Sequence, residues 1–224
     1  FKQISAGGMS MFGLDIHTCG ITTTGEAYCW GSNESGQLGN GQSYLGPDYF
    51  TSPGLVLGGL TFQQISAGGL HSCGLTTSGA AYCWGDGFRG QVGAGSFSSG
   101  YVSPALVSGG LAFTRISAGE IHTCALTTSG QAYCWGDNYY GELGNGSQNN
   151  AAVPTAVSGG LSYTMITAGR RYSCAVTSAG AAYCWGWAPS RTPPAVPQFT
   201  HLSSGSQHAC GLSPVGVAYC WGYN

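Results

Sequence analysis

The sequence predicts an all-β chain folded as a β-propeller of five repeat units, with about four short strands per blade and an incomplete last blade. Three observations predict it. A segment with two cysteines and a Tyr-Cys-Trp-Gly ending occurs five times, at Ile16 to Gly31, Leu70 to Gly85, Ile121 to Gly136, Arg171 to Gly186 and Gln207 to Gly222. The first cysteines of these segments fall 54, 51, 50 and 36 residues apart, the period of a propeller blade. Glycine supplies 40 of 224 residues, far above its usual share, as a chain of short strands and tight turns requires.

The elements follow in order within each unit. An apolar strand ending in Ser-Ala-Gly comes first: Phe1 to Gly7, Phe62 to Gly68 and Phe113 to Gly119, with weaker forms from Tyr163 to Gly169 and Phe199 to Gly205. The cysteine segment is next and reads as a hairpin. If Cys124 faces Cys134, a three-residue loop Thr128-Ser129-Gly130 closes it, with Gly in the left-handed third position. Gly25, Gly79, Gly180 and Gly216 hold that position in the other copies, and Pro214 in the fifth suits the first position of a type I turn. A Gly-rich loop follows, Gly36 to Gly39, Gly90 to Gly93 and Gly141 to Gly144. The last element is a short strand signalled by Pro-x-x-Val-x-Gly-Gly-Leu, expected over Pro53 to Leu60, Pro104 to Leu111 and Pro154 to Leu161.

Counting outward from each turn puts the two cysteines in a non-hydrogen-bonded pair, where opposite backbones come closest to disulfide distance. The expected bonds are Cys19 with Cys29, Cys73 with Cys83, Cys124 with Cys134, Cys174 with Cys184, and Cys210 with Cys220. The alternatives are a zinc site, which wants closer cysteine pairs or Cys/His knuckles, and free buried thiols in a reducing compartment. Five disulfides imply an oxidising, extracellular or cell-surface location. The units run over about 1–60, 61–111, 112–161, 162–197 and 198–224 of one domain. The fourth drops the Gly-x-Leu-Gly loop, the first carries an insertion from Met9 to Asp15, and the fifth stops before its last strand. The chain begins at Phe1 within a unit, so it reads as a mature or trimmed form. Closure within the chain is the expectation, with the Phe199 to Asn224 blade beside Phe1 to Gly7; a neighbouring chain at that edge is the alternative.

Six basic and eight acidic side chains do not make a nucleic-acid surface, which needs clustered Lys and Arg. No apolar run is long enough to span a bilayer. No Gly-x-Ser-x-Gly, His-Glu-x-x-His or phosphate-cradling loop points to catalysis, so the chain reads as a non-enzyme without cofactor.

Two stretches carry a resemblance. Ala118-Gly119-Glu120-Ile121-His122-Thr123, and Trp135-Gly136-Asp137-Asn138 continuing to Gly141-Glu142-Leu143-Gly144-Asn145-Gly146, are similar to the pattern of the regulator of chromosome condensation repeat family. The resemblance covers essentially the whole chain, and the cysteine pair looks like the secreted bacterial branch of that family. It implies a propeller, usually of seven blades. The founding member's guanine-nucleotide exchange is not carried over, because that role belongs to a reducing compartment and to basic surfaces this chain lacks. Other members are pure binders, including secreted inhibitors that grip enzymes with one propeller face.

Recurring His17, His71, His122 and His208, with Tyr172 in the fourth copy, could line a metal site around an axis or could each hydrogen-bond the backbone of its own or the next blade; Tyr172 favours the second. The recurring Trp30, Trp84, Trp135, Trp185 and Trp221 read as packing between blades rather than as sugar platforms. Candidate binding residues are the aromatics and the arginine that break the repeat: Tyr44, Tyr49, Phe50, Phe88, Arg89, Tyr139, Tyr140 and Trp187. Asn33 and Asn145 head glycosylation sequons. The expected function is an extracellular module that binds a protein or glycan through blade-connecting loops; the alternative is a structural subunit that binds copies of itself in a surface assembly.

Overall fold

The structure, a computed structural model, describes residues 1–9, 15–43, 49–187 and 198–223. It is a five-bladed β-propeller, five small antiparallel sheets without a helix among the described residues. Blade 1 holds β1 (Gln3–Met9), β2 (Asp15–Ile21), β3 (Ala27–Ser32) and β4 (Tyr49–Leu55). Blade 2 holds β5 (Phe62–Ala67), β6 (His71–Thr76), β7 (Ala81–Gly87) and β8 (Ser98–Leu106). Blade 3 holds β9 (Phe113–Ala118), β10 (His122–Thr127), β11 (Ala132–Gly136) and β12 (Ala151–Ala156). Blade 4 shows β13 (Tyr163–Ala168), β14 (Tyr172–Thr177) and β15 (Ala182–Gly186), and blade 5 shows β16 (His201–Ser204), β17 (His208–Leu212) and β18 (Ala218–Gly222).

The cysteine hairpin forms as its spacing requires. Cys124 pairs with Cys134 across β10 and β11, and the other four pairs keep the same register. All five disulfides close within a blade, with Cα atoms 4.0–4.1 Å apart. Thr127 N–H donates to Gln131 O at 3.0 Å and Gly130 N–H to Thr127 O at 3.0 Å, which leaves a loop of three residues. Gly130 has φ +79°, a conformation that penalises any Cβ.

The fourth strand lies upstream of its expected place. It starts at Tyr49, Ser98 and Ala151, before the prolines, and Gly58-Gly59, Gly109-Gly110 and Gly159-Gly160 turn the chain toward the next blade at positive φ. In blade 1, Cys29 faces Gly54 and Gly31 faces Phe50, so a bulge containing Pro53 sits opposite Trp30. Pro104 and Pro154 sit in the same bulge. Proline has no N–H to donate, and an outer strand with a bulge is where a sheet tolerates it.

Inner strands pack successively, β1 on β5, β5 on β9, β9 on β13 and β13 on β16. A hydroxyl on each inner strand accepts the backbone N–H of the next: Ser5 from Ala67, Ser66 from Ala118 and Ser117 from Ala168, each at 3.0 Å, and Thr167 from Ser204 at 3.1 Å. Gln3 and Gln64 add a second tie, each meeting the N–H and C=O of one residue, Ile65 and Ile116, in the following blade.

Among the described residues no packing of that extent joins blade 5 to blade 1. Phe1, Ile4 and Ile16 are 57–60% exposed on the first blade, and Gly216, whose counterparts Gly25, Gly79, Gly130 and Gly180 each abut the next blade, has open space at its Cβ position. The five blades stand around one axis, and the inner ends of blades 5 and 1 line the same cavity, but among the described residues these two blades share none of the ties seen at the other four junctions. Residues 10–14 of the blade 1 insertion lie outside the described residues, as do Tyr44 and the Pro193-Pro194 stretch.

Candidate functional site

At the end of each blade where the first strand passes to the second, the loop after the third strand folds over the same edge. Asp137 N–H donates to Ile121 O at 2.9 Å, which sets the 137–145 loop beside the 119–121 turn. The hairpin turns occupy the opposite end. The two ends carry different residues, and the first holds almost everything distinctive.

The recurring histidines sit there as ties between blades. His17 Nε2 lies 2.8 Å from Ser72 Oγ, His71 Nε2 2.8 Å from Thr123 Oγ1, and His122 Nε2 2.9 Å from Ser173 Oγ. Each hydroxyl donates in turn to a carbonyl of the preceding blade's Gly-rich loop: Ser72 to Gln37, Thr123 to Gln91 and Ser173 to Glu142, all at 2.9 Å. The hydroxyl proton is thereby committed, so His Nε2 must be the donor. The same carbonyls accept the indole N–H of Trp84, Trp135 and Trp185 at 2.8–2.9 Å. A Cβ on Gly93 would lie 2.6 Å from Trp135 Nε1, so glycine is needed where the indole closes on the loop. All three histidines are fully buried, which lowers their pKa from 6.5 to about 4, 3 and 4 for His17, His71 and His122. They are neutral structural groups. No cluster of three or more metal-ligating side chains occurs among the described residues.

The fourth junction is built differently. Ala209 stands where Ser72, Thr123 and Ser173 stand, with no hydroxyl to receive a histidine. Tyr172 replaces the histidine and reaches past that point, its hydroxyl lying between the backbone carbonyls of Gly205 at 3.1 Å and His208. His208 itself is exposed.

Glu142 is the odd member of its set. Gln91 accepts the Arg89 N–H through Oε1 and donates through Nε2 to Asp86 at 3.0 Å. Glu142 accepts the Tyr140 N–H through Oε2 at 2.8 Å, but its buried Oε1 has no hydrogen-bond partner. Burial, reinforced by the nearby Asp137 carboxylate, pushes its pKa up to about 7.

Five inner-strand ends line an axial cavity of about 440 Å³ whose wall is mostly Ala and Gly. Its charged members are Glu120 and Arg170, 2.8 Å apart, and burial raises the Glu120 carboxyl pKa despite the guanidinium.

The loops that break the repeat converge over blades 3 to 5. Tyr139 and Tyr140 meet edge to face at 4.8 Å, Tyr140 lies 5.9 Å from Trp187, and Trp187 lies 6.2 Å from Tyr223. The Arg171 guanidinium stacks 5.0 Å above Tyr140, and its Nη1 donates to the Tyr140 hydroxyl at 3.1 Å. Tyr139 and Tyr223 are 69% and 53% exposed. Arg89 stands one blade back, 5.7 Å from the Phe88 ring and 3.8 Å from Asp137. The structure thus groups Tyr139, Tyr140 and Trp187 and places Phe88 and Arg89 on the same end of the propeller. Tyr49 and Phe50 lie apart on outer strand β4, where Phe50 packs against the Cys19–Cys29 core. Arg171 and Tyr223 went unnoticed in sequence because each lies inside or beside a regular repeat motif.

Asn33 is 4% exposed, and its amide nitrogen donates to Asn40 Oδ1 and Gln42 O at 3.1 and 2.9 Å. A glycan on that nitrogen would displace both bonds, which argues against Asn33 as an acceptor in this fold. Asn145 Oδ1 accepts from Asn138 and Ser147, and the side chain is half-buried.

The profiles of the regulator of chromosome condensation (RCC1) repeat match residues 17–37, 62–91 and 113–142, and in a second version 78–126 and 129–176. The human probable E3 ubiquitin-protein ligase HERC4 is 39% identical over 143 residues, 62% of this chain but 13% of that protein. Human WBSCR16 superposes with a TM-score of 0.83 at 22% identity, over 93% of this chain and 60% of the other. Prp20p of Saccharomyces cerevisiae, a structure described with its binding to Gsp1p and histones, gives 0.74 at 21% identity, over 92% and 56%. The chain thus spans a small part of the curated relative and little more than half of each solved structure.

Proposed function

The chain belongs to the regulator of chromosome condensation repeat family, and from that premise we propose that it is an extracellular, non-enzymatic module that binds another protein through the loops at one end of its blades. The observation that carries this is the division of labour between the two sets of aromatics. Trp84 and Trp135 are fully buried in the seams, whereas Tyr139, Tyr140, Trp187 and Tyr223 form a chain of rings across the loops at one end, with Tyr139 and Tyr223 exposed. Exposed tyrosine, tryptophan and arginine on loops held by a rigid scaffold are the usual makings of a protein-binding hot spot. Protein binding is also described for Prp20p, which shares the fold. Five disulfides support the extracellular placement. The ligase activity of HERC4 is not proposed, since the matched region is 13% of that protein.

The test is a binding screen of the purified, oxidised chain against an array of secreted proteins and an array of glycans. Loss of a protein hit on Tyr139→Ala, with Thr128→Ala on the opposite end unchanged, supports the reading. Binding only to glycans, or binding that follows the hairpin end, rejects it.

A second reading rests on the open seam. His208 and the first-blade residues Phe1, Ile4 and Ile16 are exposed where every other blade is tied to a neighbour. A copy or another chain docked there would make this propeller a subunit of an assembly. Light scattering that finds a monomer at every accessible concentration counts against that reading.

A further inference from the structure

We infer that the surface centred on Arg171 takes an acidic segment of a partner protein, a carboxylate flanked by apolar or aromatic residues, with Arg171 as its anchor. This rests on the binding-module reading above and names the chemistry of its partner.

Arg171 is held by its stack on Tyr140 and its hydrogen bond to the Tyr140 hydroxyl. Among the described residues no carboxylate lies within ion-pair distance of it. A guanidinium has five N–H donors in a planar fork that matches a carboxylate, and holding it in place beforehand removes part of the entropy cost of binding. The sign of the surrounding charge agrees. The chain carries a net charge of −2, yet the acids beside this surface are withdrawn: the Glu120 and Asp137 side chains are 9% and 7% exposed, and Glu142 is fully buried. The Arg89 side chain is 52% exposed. Asp86 on the blade 2 loop is half-exposed but held by the Phe88 N–H and Gln91 Nε2, and Arg89 and Arg170 already face Asp137 and Glu120, so Arg171 is the cation of this surface left without an ion pair, and complementarity selects a negative partner.

The rings favour a protein over a sugar. Tyr139 and Tyr140 meet at 83° and Tyr140 and Trp187 at 46°, so they form an interlocked, uneven surface rather than a row of parallel platforms. Such a surface suits side chains that insert between rings.

The experiment uses the oxidised chain, immobilised, with a displayed library of random peptides as the probe. Selected peptides are then synthesised and their affinities measured against Arg171→Glu, Tyr139→Ala and, as a control at the opposite end, Arg115→Glu. Thermal midpoints matching the parent establish that each variant is folded. The expected result is enrichment of Asp or Glu beside apolar residues. Arg171→Glu should weaken binding at least tenfold, as should replacing the peptide acid by its amide. Tyr139→Ala should weaken it about fivefold, and Arg115→Glu should leave it unchanged. Peptides without an acid, or affinities indifferent to Arg171→Glu, overturn the inference. Peptides that depend on Phe88 and Arg89 but not on Arg171 overturn it while leaving the binding-module reading intact. Failure to select any peptide, with an acidic-glycan array bound through Arg171, assigns the surface to glycans and overturns it; failure on both probes overturns the inference and the module reading together.

Discussion

The junction between blades 2 and 3 and the junction between blades 4 and 5 are two solutions to one packing problem. At the first, His71 donates to Thr123, Thr123 to the Gln91 carbonyl, and Trp135 closes on that same carbonyl with no exposed surface. At the second, the Gly-x-Leu-Gly loop is missing from the sequence, Ala209 has no hydroxyl, Tyr172 bonds directly to backbone, and Trp221 is half exposed. The two departures occur together for a physical reason. The hydroxyl of Thr123 needs an acceptor, and the Gly-rich loop supplies it; where that loop's sequence is missing, Ala209 removes the group that needed it. Tyrosine then spans the extra distance that the hydroxyl had bridged. The loop, the hydroxyl and the histidine are thus absent together at this junction, while the tryptophan is kept but half exposed.

Removing the disulfides should give the largest effect and also expose the difference between the regions. Each closes a loop of about eleven residues and contributes roughly 2–3 kcal/mol in the chain-entropy account. Cys220 is exposed, whereas Cys73, Cys83, Cys124 and Cys134 are fully buried. Peptide mapping under graded reductant should therefore find Cys210–Cys220 open first, and full reduction should lower the melting temperature sharply. Simultaneous opening of all five would erase the distinction between the blades.

Acid should strike the other region. His17, His71 and His122 are neutral in the folded chain down to about pH 3–4 and take protons near 6.5 when unfolded. Above 6.5 they are neutral in both states and contribute no pH dependence. As pH falls below 6.5 the unfolded chain binds the proton first, so stability declines until the folded pKa is reached, by roughly 3 kcal/mol for His17 and His122 and roughly 5 for His71. Hydrogen exchange at pH 4.5 should show blades 1 to 4 loosening at their mutual seams, with little change at Tyr172. Stability that is flat between pH 7 and 4.5 would contradict the buried neutral imidazoles.

A single substitution pair tests the comparison most directly. Trp135→Ala should cost about 3–5 kcal/mol, because it empties a fully buried site and leaves the Gln91 carbonyl short of a donor. Trp221→Ala should cost less than half of that. Equal shifts in denaturant midpoint would show that the last blade is packed as tightly as the third.

The smallest effect is a gain. Glu142→Gln restores the residue type of Gln37 and Gln91 and gives the buried position a donor toward Asp137. The Glu142 pKa of about 7 lies above its unfolded value of 4.5, so ionisation opposes folding increasingly as pH rises from 4.5 through 7. The variant should be more stable by about 1 kcal/mol at pH 8 and equal to the parent below pH 4.5. A gain that does not depend on pH would point to packing rather than charge.

What was determined by the sequence alone lies within short stretches of chain. The loop Thr128-Ser129-Gly130, the facing of Cys124 and Cys134 and the order of elements in a blade were all legible, because turn geometry and strand register are set by neighbours in the chain. The outer strands were legible in number but misplaced, since Pro53 marks a bulge that only pairing with Cys29 and Gly31 defines. The partnership of His71 with Thr123, the bonding of Tyr172 to the Gly205 and His208 carbonyls, and the stacking of Arg171 on Tyr140 were decided by tertiary structure. His71 and Thr123 are 52 residues apart in the chain, and Arg171 and Tyr140 are 31 apart. Such pairs arise only when whole blades are set side by side, and a repeat pattern fixes the shape of a blade before it fixes what one blade offers the next.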